Sequence, residues 1–535
     1  MADWKNSVNL PRTDFPMKAN LQVAEPAAIA RWEAMDLYGM IAKARAGRPK
    51  YVLHDGPPYA NGQIHIGHAL NKVLKDFIVK SKSMAGFDAP YVPGWDCHGL
   101  PIELQVDKEL GSKKREMSVA DIRRACRAYA DRHVSEQKAD FRRLGVFGDW
   151  DHPYLTMQFE FQAAIVKALG RCVEEDLVYK GKKPVYWCIS DRTALAEAEV
   201  EYETHVSPSI YVEFRLDPRD ADALATRVPA LAGRNVSLLI WTTTPWTIPS
   251  NMAVAFQPGF DYAAYDVDGR LVIVAEALAD ATFAKAGRTP GEPVARMKGH
   301  VFDRIRFVHP LYARESLGVL ADYVTLEQGT GVVHTAPGHG ADDFNTGQRY
   351  GLETYAPIGP SGEFLDSVEL FAGLKVWDAN PKVVEALRER GALWHVESYE
   401  HSYPHCWRCH KPLIFLATPQ WFIAMDHDGY RRKALDAITG VEWLPAWGEE
   451  RIHNMLANRP DWCISRQRAW GVPIPAMTCT RCRESVLTTA LTSRAADVFA
   501  EHGADAWYER PLEEFLPEGF TCPSCGGTEF ERERD

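Results

Sequence analysis

The sequence predicts an α/β fold: the first part of a doubly wound domain, a large β-rich insertion, and a small cysteine-knuckle module near the end. Three observations carry this. Residues 50–105 run strand, turn, helix, strand. From about residue 197 the helical periodicity gives way to short β-rich runs. Two C-x-x-C pairs stand in the last sixty residues. A chain of 535 residues has room for three or four domains, and 46% hydrophobic with 25% charged residues is an ordinary enzyme profile.

The elements follow in chain order. Residues 1–48 form an N-terminal extension, with one helix expected over "AEPAAIARWEAMDLYGMIAKA". "YVLHDG" (51–56) reads as a buried strand ending in a Gly/Pro turn. Leu70, Val73, Leu74, Phe77 and Ile78 then keep the spacing of an amphipathic helix. "DAPYVPGWDCHG" is a second strand-like run. Residues 118–180 are helical, with Ser118 and Asp121 placed for a capping box ahead of an Ile122, Cys126, Tyr129 stripe. So 49–196 reads as the first half of the α/β domain with a helical connection. Residues 197–395 read as the β-rich insertion, with "SIYVEFRL", "VSLLIWTT", "YAAYDVDGRLVIVA" and "GTGVVHTA" as strands and Asp268-Gly269 as a hairpin turn. Residues 396–476 return to the first domain, and 477–535 carry the knuckles. No internal repeat or low-complexity segment occurs.

Charge and composition narrow the function classes. A net charge of −11 argues against a uniformly basic nucleic-acid binder, although a local basic face can still serve RNA. No apolar run is long enough to span a bilayer, and the polar start "MADWKNSVNLPRTDFP" has no signal-peptide core. A cytoplasmic protein without a membrane partner is expected. Cys479-x-x-Cys482 and Cys522-x-x-Cys525 suit four-thiolate structural Zn²⁺ in a reducing compartment. Cys406 and Cys409 form a third pair. At the other root of the insertion the matching pair is broken to Cys188-x-x-Asp191, so a Cys₃Asp zinc site and an empty one both stay open.

The stretch "PPYANGQIHIGHALNKVLK" concentrates the chemistry. A helix N-terminus carries unpaired N–H groups and about half a positive charge, and so seats phosphate. His65 and His68 add donors there that can follow charge developing on phosphorus, and Gly67 permits close approach. In open α/β sheets, ligands bind beyond the carboxyl ends of the strands, where this loop falls. A bare H-x-x-H is more often structural. Here it follows a strand and a proline turn and opens a helix.

With those flanks, "HIGH" at 65–68 resembles the signature of class I aminoacyl-tRNA synthetases. "HDGPPYANGQIHIGHALNKVLKD" and "GWDCHGLPIE" resemble the isoleucyl branch of that family. The resemblance runs on through "WTTTPWTIPSN", "GTGVVHTAPGHGADDF", "CWRCHKPLIFLATPQWF" and "WCISRQRAWGVP", over essentially the whole chain. It implies a class I Rossmann-like catalytic domain and an ATP-dependent ligase that activates isoleucine and transfers it to tRNA(Ile). ATP is used with Mg²⁺, and a monomer is expected. By the resemblance His65, Gly67 and His68 are catalytic, Gly56 meets ATP, Pro57 walls the isoleucine side chain and Asp96 holds its ammonium. Trp421 and Trp470 read as core.

The resemblance also gives the insertion a role. One methylene in a hydrophobic pocket is worth about 1–3 kcal/mol, and isoleucine against valine is the established case of that figure for this type of enzyme. A second, hydrolytic editing site is therefore implied in the β-rich insertion. Its candidates are Thr242, Thr243 and Thr244, which offer hydroxyls, His334, and Asp343 for the free amino group of a mischarged valine, with Asp342 next to it. Taken alone, "WTTTPW" reads more readily as a β-strand edge and turn, since threonine favours strands.

The family's second motif, KMSKS, is not found in its expected place; "KSKSMAG" at 80–86 belongs to the first helix. The chain therefore reads as an N-terminal fragment lacking KMSKS and the anticodon-binding domain. Exposed apolar surface is expected where the half-sheet lacks its partner. For such a fragment alone, the alternatives are an editing-only deacylase or a catalytically incomplete piece.

Overall fold

The computed structural model describes residues 18–533 and 535, with Ser7, Asn9, Thr13 and Asp14 before them, and only the backbone of Ser112 and Arg115. Most of the opening "MADWKNSVNLPRTDFP", and Arg534 near the end, lie outside the described residues. The chain divides into two compact units, Met1–Arg171 with Arg468–Arg534, and Cys172–Gln467.

The first unit opens with α1 (Leu21–Ala34) and α2 (Leu37–Arg45) where one helix was expected. Asp36 breaks it: its backbone is left-handed, with φ 47°, and its carboxylate caps α2 by accepting the Gly39 N–H. "YVLHDG" is not a buried strand either. It runs extended, its flanks making single parallel bridges at Lys50–Asp88 and Tyr59–Asp96 instead of a ladder, and Val52 is exposed. In the second run only β1 (Gly94–Trp95) is a regular strand, paired in parallel with β2 (Tyr154–Leu155). Loop prolines Pro49, Pro57, Pro58, Pro90 and Pro93 lack the N–H that a longer ladder needs.

Between these segments lies α3 (Ile66–Met84), whose last turn carries the "KSKSM" of "KSKSMAG". Its apolar stripe points outward: Leu70, Leu74 and Phe77 are 61%, 51% and 62% exposed, while Lys72, Asp76 and Val79 are buried. An apolar stripe left in solvent is uncommon on a soluble helix. Next come α4 (Leu100–Leu110), α5 (Val119–Arg143) and α6 (Phe159–Glu174). Ser118 Oγ caps α5 by accepting the Asp121 N–H, and Ile122, Cys126 and Tyr129 are buried as their spacing predicts.

The second unit starts with β3 (Val178–Cys188) and β4 (Thr193–Leu195). Then come β5 (Val200–Leu216), α7 (Ala221–Arg227), β6 (Val236–Thr242), β7 (Ala253–Phe256), β8 (Asp261–Val267) and β9 (Arg270–Ala275). After α8 (Ala279–Lys285) follow β10 (Ala295–Lys298), β11 (Arg306–Val308), β12 (Glu315–Leu320), β13 (Val332–Thr335) and α9 (Ala341–Tyr350). The unit closes with α10 (Val376–Glu389), β14 (Leu393–Cys406), β15 (Ile414–Ile423) and β16 (Trp462–Cys463). The large mixed sheet runs β10-β8-β9-β6-β5-β11-β12-β7-β13, and β14 pairs with the first part of β5. A second sheet runs β16-β15-β3-β4.

Asp268 and Gly269 form the β8–β9 turn with φ of 52° and 85°, the doubly positive conformation that Asp-Gly favours. Ile210, Val212 and Phe214 alternate from β5 into the core. The opposite face of β5 carries Ser209, Tyr211 and Glu213, also buried. Trp421 in this unit and Trp470 in the first are buried, and the Trp470 Nε1–H donates to the Cys97 carbonyl at 2.6 Å.

In the returning part of the first unit, β17 (Met477–Cys479) pairs with β18 (Ser485–Val486) and β19 (Phe530–Arg532). Among the described residues no helix is long and apolar enough to cross a membrane.

Candidate active, editing and metal-ligating sites

His65 is the N-cap of α3. Its Nδ1 accepts the Gly67 N–H at 3.1 Å, and His68 Nδ1 accepts the His65 N–H at 3.3 Å. The two rings stack with centroids 3.9 Å apart. With both Nδ1 atoms used as acceptors, each neutral ring carries its proton on Nε2. Burial, with Lys72 nearby, pushes His68 below the usual imidazole range, which keeps that ring neutral. Gly67 has a role the sequence did not suggest: a Cβ there would lie 2.9 Å from the His65 ring.

Asp96 N–H donates to the Pro58 carbonyl at 2.9 Å, and the Ala60 N–H returns a bond to the Asp96 carbonyl at 2.9 Å. The proline turn is thereby held against Asp96, whose Oδ1 accepts the His98 N–H at 3.3 Å. Gly56 is exposed, with open space where a Cβ would stand.

Behind α3 lies a group that sequence reasoning missed. The buried Asp55 carboxylate takes Lys72, Lys75 and the Tyr91 hydroxyl, the last at 2.5 Å. Lys72 also donates to Tyr91 Oη at 2.9 Å, and burial lowers its pKa to about 8. The available signal was the pair of lysines at 72 and 75 on the non-apolar face of the helix.

In the second unit Thr242 Oγ1 lies 3.2 Å from Thr244 Oγ1, which lies 3.3 Å from Thr247 Oγ1. Thr247 Oγ1 reaches His334 Nε2 at 2.8 Å, and Asn251 Nδ2 lies 3.3 Å from His334 Nδ1. The Thr243 hydroxyl has no hydrogen-bond partner among the described residues. Burial, with the nearby His339, drops His334 to about 4, so it is neutral. Asp343 Oδ2 accepts the Ala336 N–H at 2.8 Å, two residues past His334, and Tyr323 Oη lies 3.5 Å from Oδ1. Burial raises the Asp343 carboxyl to about 7, although the Ala336 bond favours its charge. Thr247, Asn251 and Tyr323 complete the group and were not singled out from sequence; Thr247 and Asn251 do lie inside "WTTTPWTIPSN".

Two four-residue sets can each hold a metal ion. The ligand atoms of Cys479, Cys482, Cys522 and Cys525 all lie within 4.8 Å of one another, as do those of Cys188, Asp191, Cys406 and Cys409. The local turns repeat. Cys479 N–H donates to Glu484 O and Arg483 N–H to Cys479 O; Cys522 N–H donates to Gly527 O and Gly526 N–H to Cys522 O. Cys406 and His410 make the same pair of bonds with Lys411 O and Cys406 O. Arg192 N–H donates to Cys188 O, so the turn persists with Asp191 in the fourth place. The residue after each second ligand is left-handed, with φ of 54° at Arg192, 51° at His410, 60° at Arg483 and 70° at Gly526. The carboxylate Oδ2 lies 3.3 Å from Cys188 Sγ and 3.4 Å from Cys406 Sγ, where a fourth ligand would stand.

The profile described as tRNA synthetases class I (I, L, M and V) matches residues 27–535. The chain belongs to this family. Over 533 residues it is 56% identical to a protein of Geobacter sulfurreducens named isoleucine–tRNA ligase, covering 100% of this chain and 57% of that protein. It is 53% identical over 539 residues to the protein of that name from Nitratidesulfovibrio vulgaris (strain DP4), with 100% and 57% covered. For Syntrophotalea carbinolica the identity is 51% over 533 residues, again with 100% and 57% covered. The chain thus spans 57% of the length of each of these relatives. The α/β architecture with its large mixed sheet is that of the class I family.

Proposed function

We propose that the chain carries the activation and editing portions of an isoleucine–tRNA ligase. The observation that supports this most is the His65–His68 pair at the head of α3, in a chain whose full length aligns with relatives of that name. In this reading the isoleucine carboxylate attacks the α-phosphorus of ATP, the bond to pyrophosphate breaks, and isoleucyl-adenylate forms. The two Nε2–H groups donate to oxygens that gain charge as the new bond forms. Asp96 pairs with the isoleucine ammonium, Pro57 walls its side chain and Gly56 leaves room for ATP. Mg²⁺ accompanies ATP and neutralises its phosphates. Transfer to tRNA(Ile) follows, in the cytoplasm, by a monomer.

The second unit supplies hydrolysis. Water attacks the ester carbonyl of valyl-tRNA, and the terminal ribose hydroxyl leaves with a proton. Thr242, Thr243 and Thr244 position that ribose and water, and the Thr247–His334 bond fixes the threonine turn. Asp343 receives the valine ammonium, which draws its carboxyl back to the charged form. Both ligand sets are read as structural zinc sites, Cys₄ in one unit and Cys₃Asp in the other.

The test is isoleucine-dependent exchange of pyrophosphate into ATP on the purified 535-residue chain and on His65→Ala/His68→Ala. Exchange lost in the double variant supports the assignment. Exchange that survives it overturns the role of the pair.

A further inference from the structure

The second unit holds a cavity far from the threonine turn. It has a volume of about 490 Å³ and opens where β5 ends and β6 and β9 begin. Thr242 closes β6 and Val236 opens it, so the cavity and the threonine turn sit at opposite ends of one strand, about 20 Å apart. Glu213, Arg215, Arg234, Ser237 and Arg270 line it.

Its charges are incompletely matched. Glu213 and Arg215 sit two apart on one face of β5. Arg234 pairs with Asp266 at 2.5 Å, and Arg270 lies 3.3 Å from Glu213 Oε2. The Arg215 side chain has neither ion-pair nor hydrogen-bond partner among the described residues. Glu213 is 3% exposed, and its Oε2 accepts the Trp394 indole N–H at 2.7 Å. Its Oε1 is buried with no hydrogen-bond partner, and so is Arg270 Nε. Both residues line the cavity, and a buried acceptor and a buried donor without partners are costly in a folded protein.

A ligand that satisfies both must offer an oxyanion to the guanidiniums and a donor to Glu213. Planar guanidiniums favour phosphate oxygens. A buried carboxylate oxygen accepts a donor, and a sugar hydroxyl is one that a phosphate ester can carry. We infer that this cavity binds a phosphate group carried on a hydroxyl-bearing ribose, with the phosphate on Arg215, Arg234 and Arg270 and a sugar hydroxyl donating to Glu213 Oε1. The unit can come from an RNA strand or from a free ribose phosphate. The site is separate from the two centres proposed above and stands or falls without them.

The experiment measures binding to the 535-residue chain of ribose 5-phosphate, 2-deoxyribose 5-phosphate, inorganic phosphate, and a hexaribonucleotide with its DNA counterpart. Each is repeated on Arg215→Ala/Arg234→Ala and on Glu213→Gln. The exposed arginine pair tests the phosphate half without disturbing the core. Loss of at least tenfold affinity for ribose 5-phosphate in that variant supports the site. So does a ribose-over-deoxyribose preference that Glu213→Gln abolishes. An arginine-dependent loss confined to the hexaribonucleotide supports the RNA strand as source, and one confined to ribose 5-phosphate supports the free sugar phosphate. Should Glu213→Gln not fold, the Trp394 indole N–H resonance of the unsubstituted chain replaces it, and it must shift on titration with ribose 5-phosphate. Affinities unchanged within twofold in the arginine variant overturn the site. Inorganic phosphate bound as tightly as ribose 5-phosphate, with Trp394 unmoved, overturns the hydroxyl contact.

Discussion

His65 and His68 are stacked with ring centroids 3.9 Å apart, and each spends its Nδ1 on a backbone N–H of the same helix turn. The stack and the cap are one structure: the bonds that orient the rings also satisfy two of the orphan donors at the start of α3. His65→Ala should therefore act twice. Loss of the cap should lower stability by about 1 kcal/mol in denaturant titration. Loss of a donor aimed at developing charge should cut the pyrophosphate exchange rate by about 10²–10³. A rate unchanged beside the stability loss would leave His65 a cap alone.

Asp343 sets a pH dependence. Its carboxyl is raised from the ordinary 3.8 to about 7 by burial. Between those values the folded chain keeps a proton that the unfolded chain has released, so this group's contribution to stability falls as pH rises from about 4 to about 7. His334 and His339 work the other way: both are lowered from 6.5 to about 4, so their contribution rises with pH over that window. Asp343→Asn should remove the falling part only. Denaturation midpoints at pH 4.5 and 7 should show the variant gaining relative to the unsubstituted chain at the higher pH. A constant difference between the two proteins would contradict the assignment.

The two faces of α3 should respond oppositely to the same substitution. Leu74 belongs to the apolar stripe but is 51% exposed, and Val79 is buried at 4%. Leu74→Ser should change the stability of this chain by no more than about 0.5 kcal/mol. Val79→Ser should cost about 2–3 kcal/mol through a cavity and a buried hydroxyl. Equal costs would mean that the stripe is covered in solution.

That contrast shows what the sequence made legible. The period of Leu70, Leu74 and Phe77 identified the helix, because side-chain spacing fixes the helical repeat. It did not identify the buried face, because Asp55, Lys72, Lys75 and Tyr91 hold the other side inward. Periodicity counts apolar residues and does not see a satisfied ionic cluster. The β-rich unit was easier to read, since its turns carry their own signal, as Asp268-Gly269 does. His65, His68 and the cysteine pairs were visible as motifs because their partners lie within a few residues. Thr247 and His334 are 87 positions apart, and only folding joins them.

The four knuckles lead to a prediction about metal content. Asp191 stands in a turn of the same kind as the three cysteine turns, with its Oδ2 3.3 Å from Cys188 Sγ. A carboxylate can ligate zinc at the fourth position. The chain should therefore carry two zinc ions by elemental analysis. Asp191→Ala should leave Cys188, Cys406 and Cys409 as an incomplete set and reduce the content towards one. Asp191→Cys should keep two and hold the second more tightly against a chelator, since thiolate is the softer ligand. The Cys479 set lies in the other compact unit and should retain its ion in both variants. One zinc per unsubstituted chain, unaffected by Asp191→Ala and lost in Cys479→Ser, would show that the Asp191 turn is formed without serving a metal.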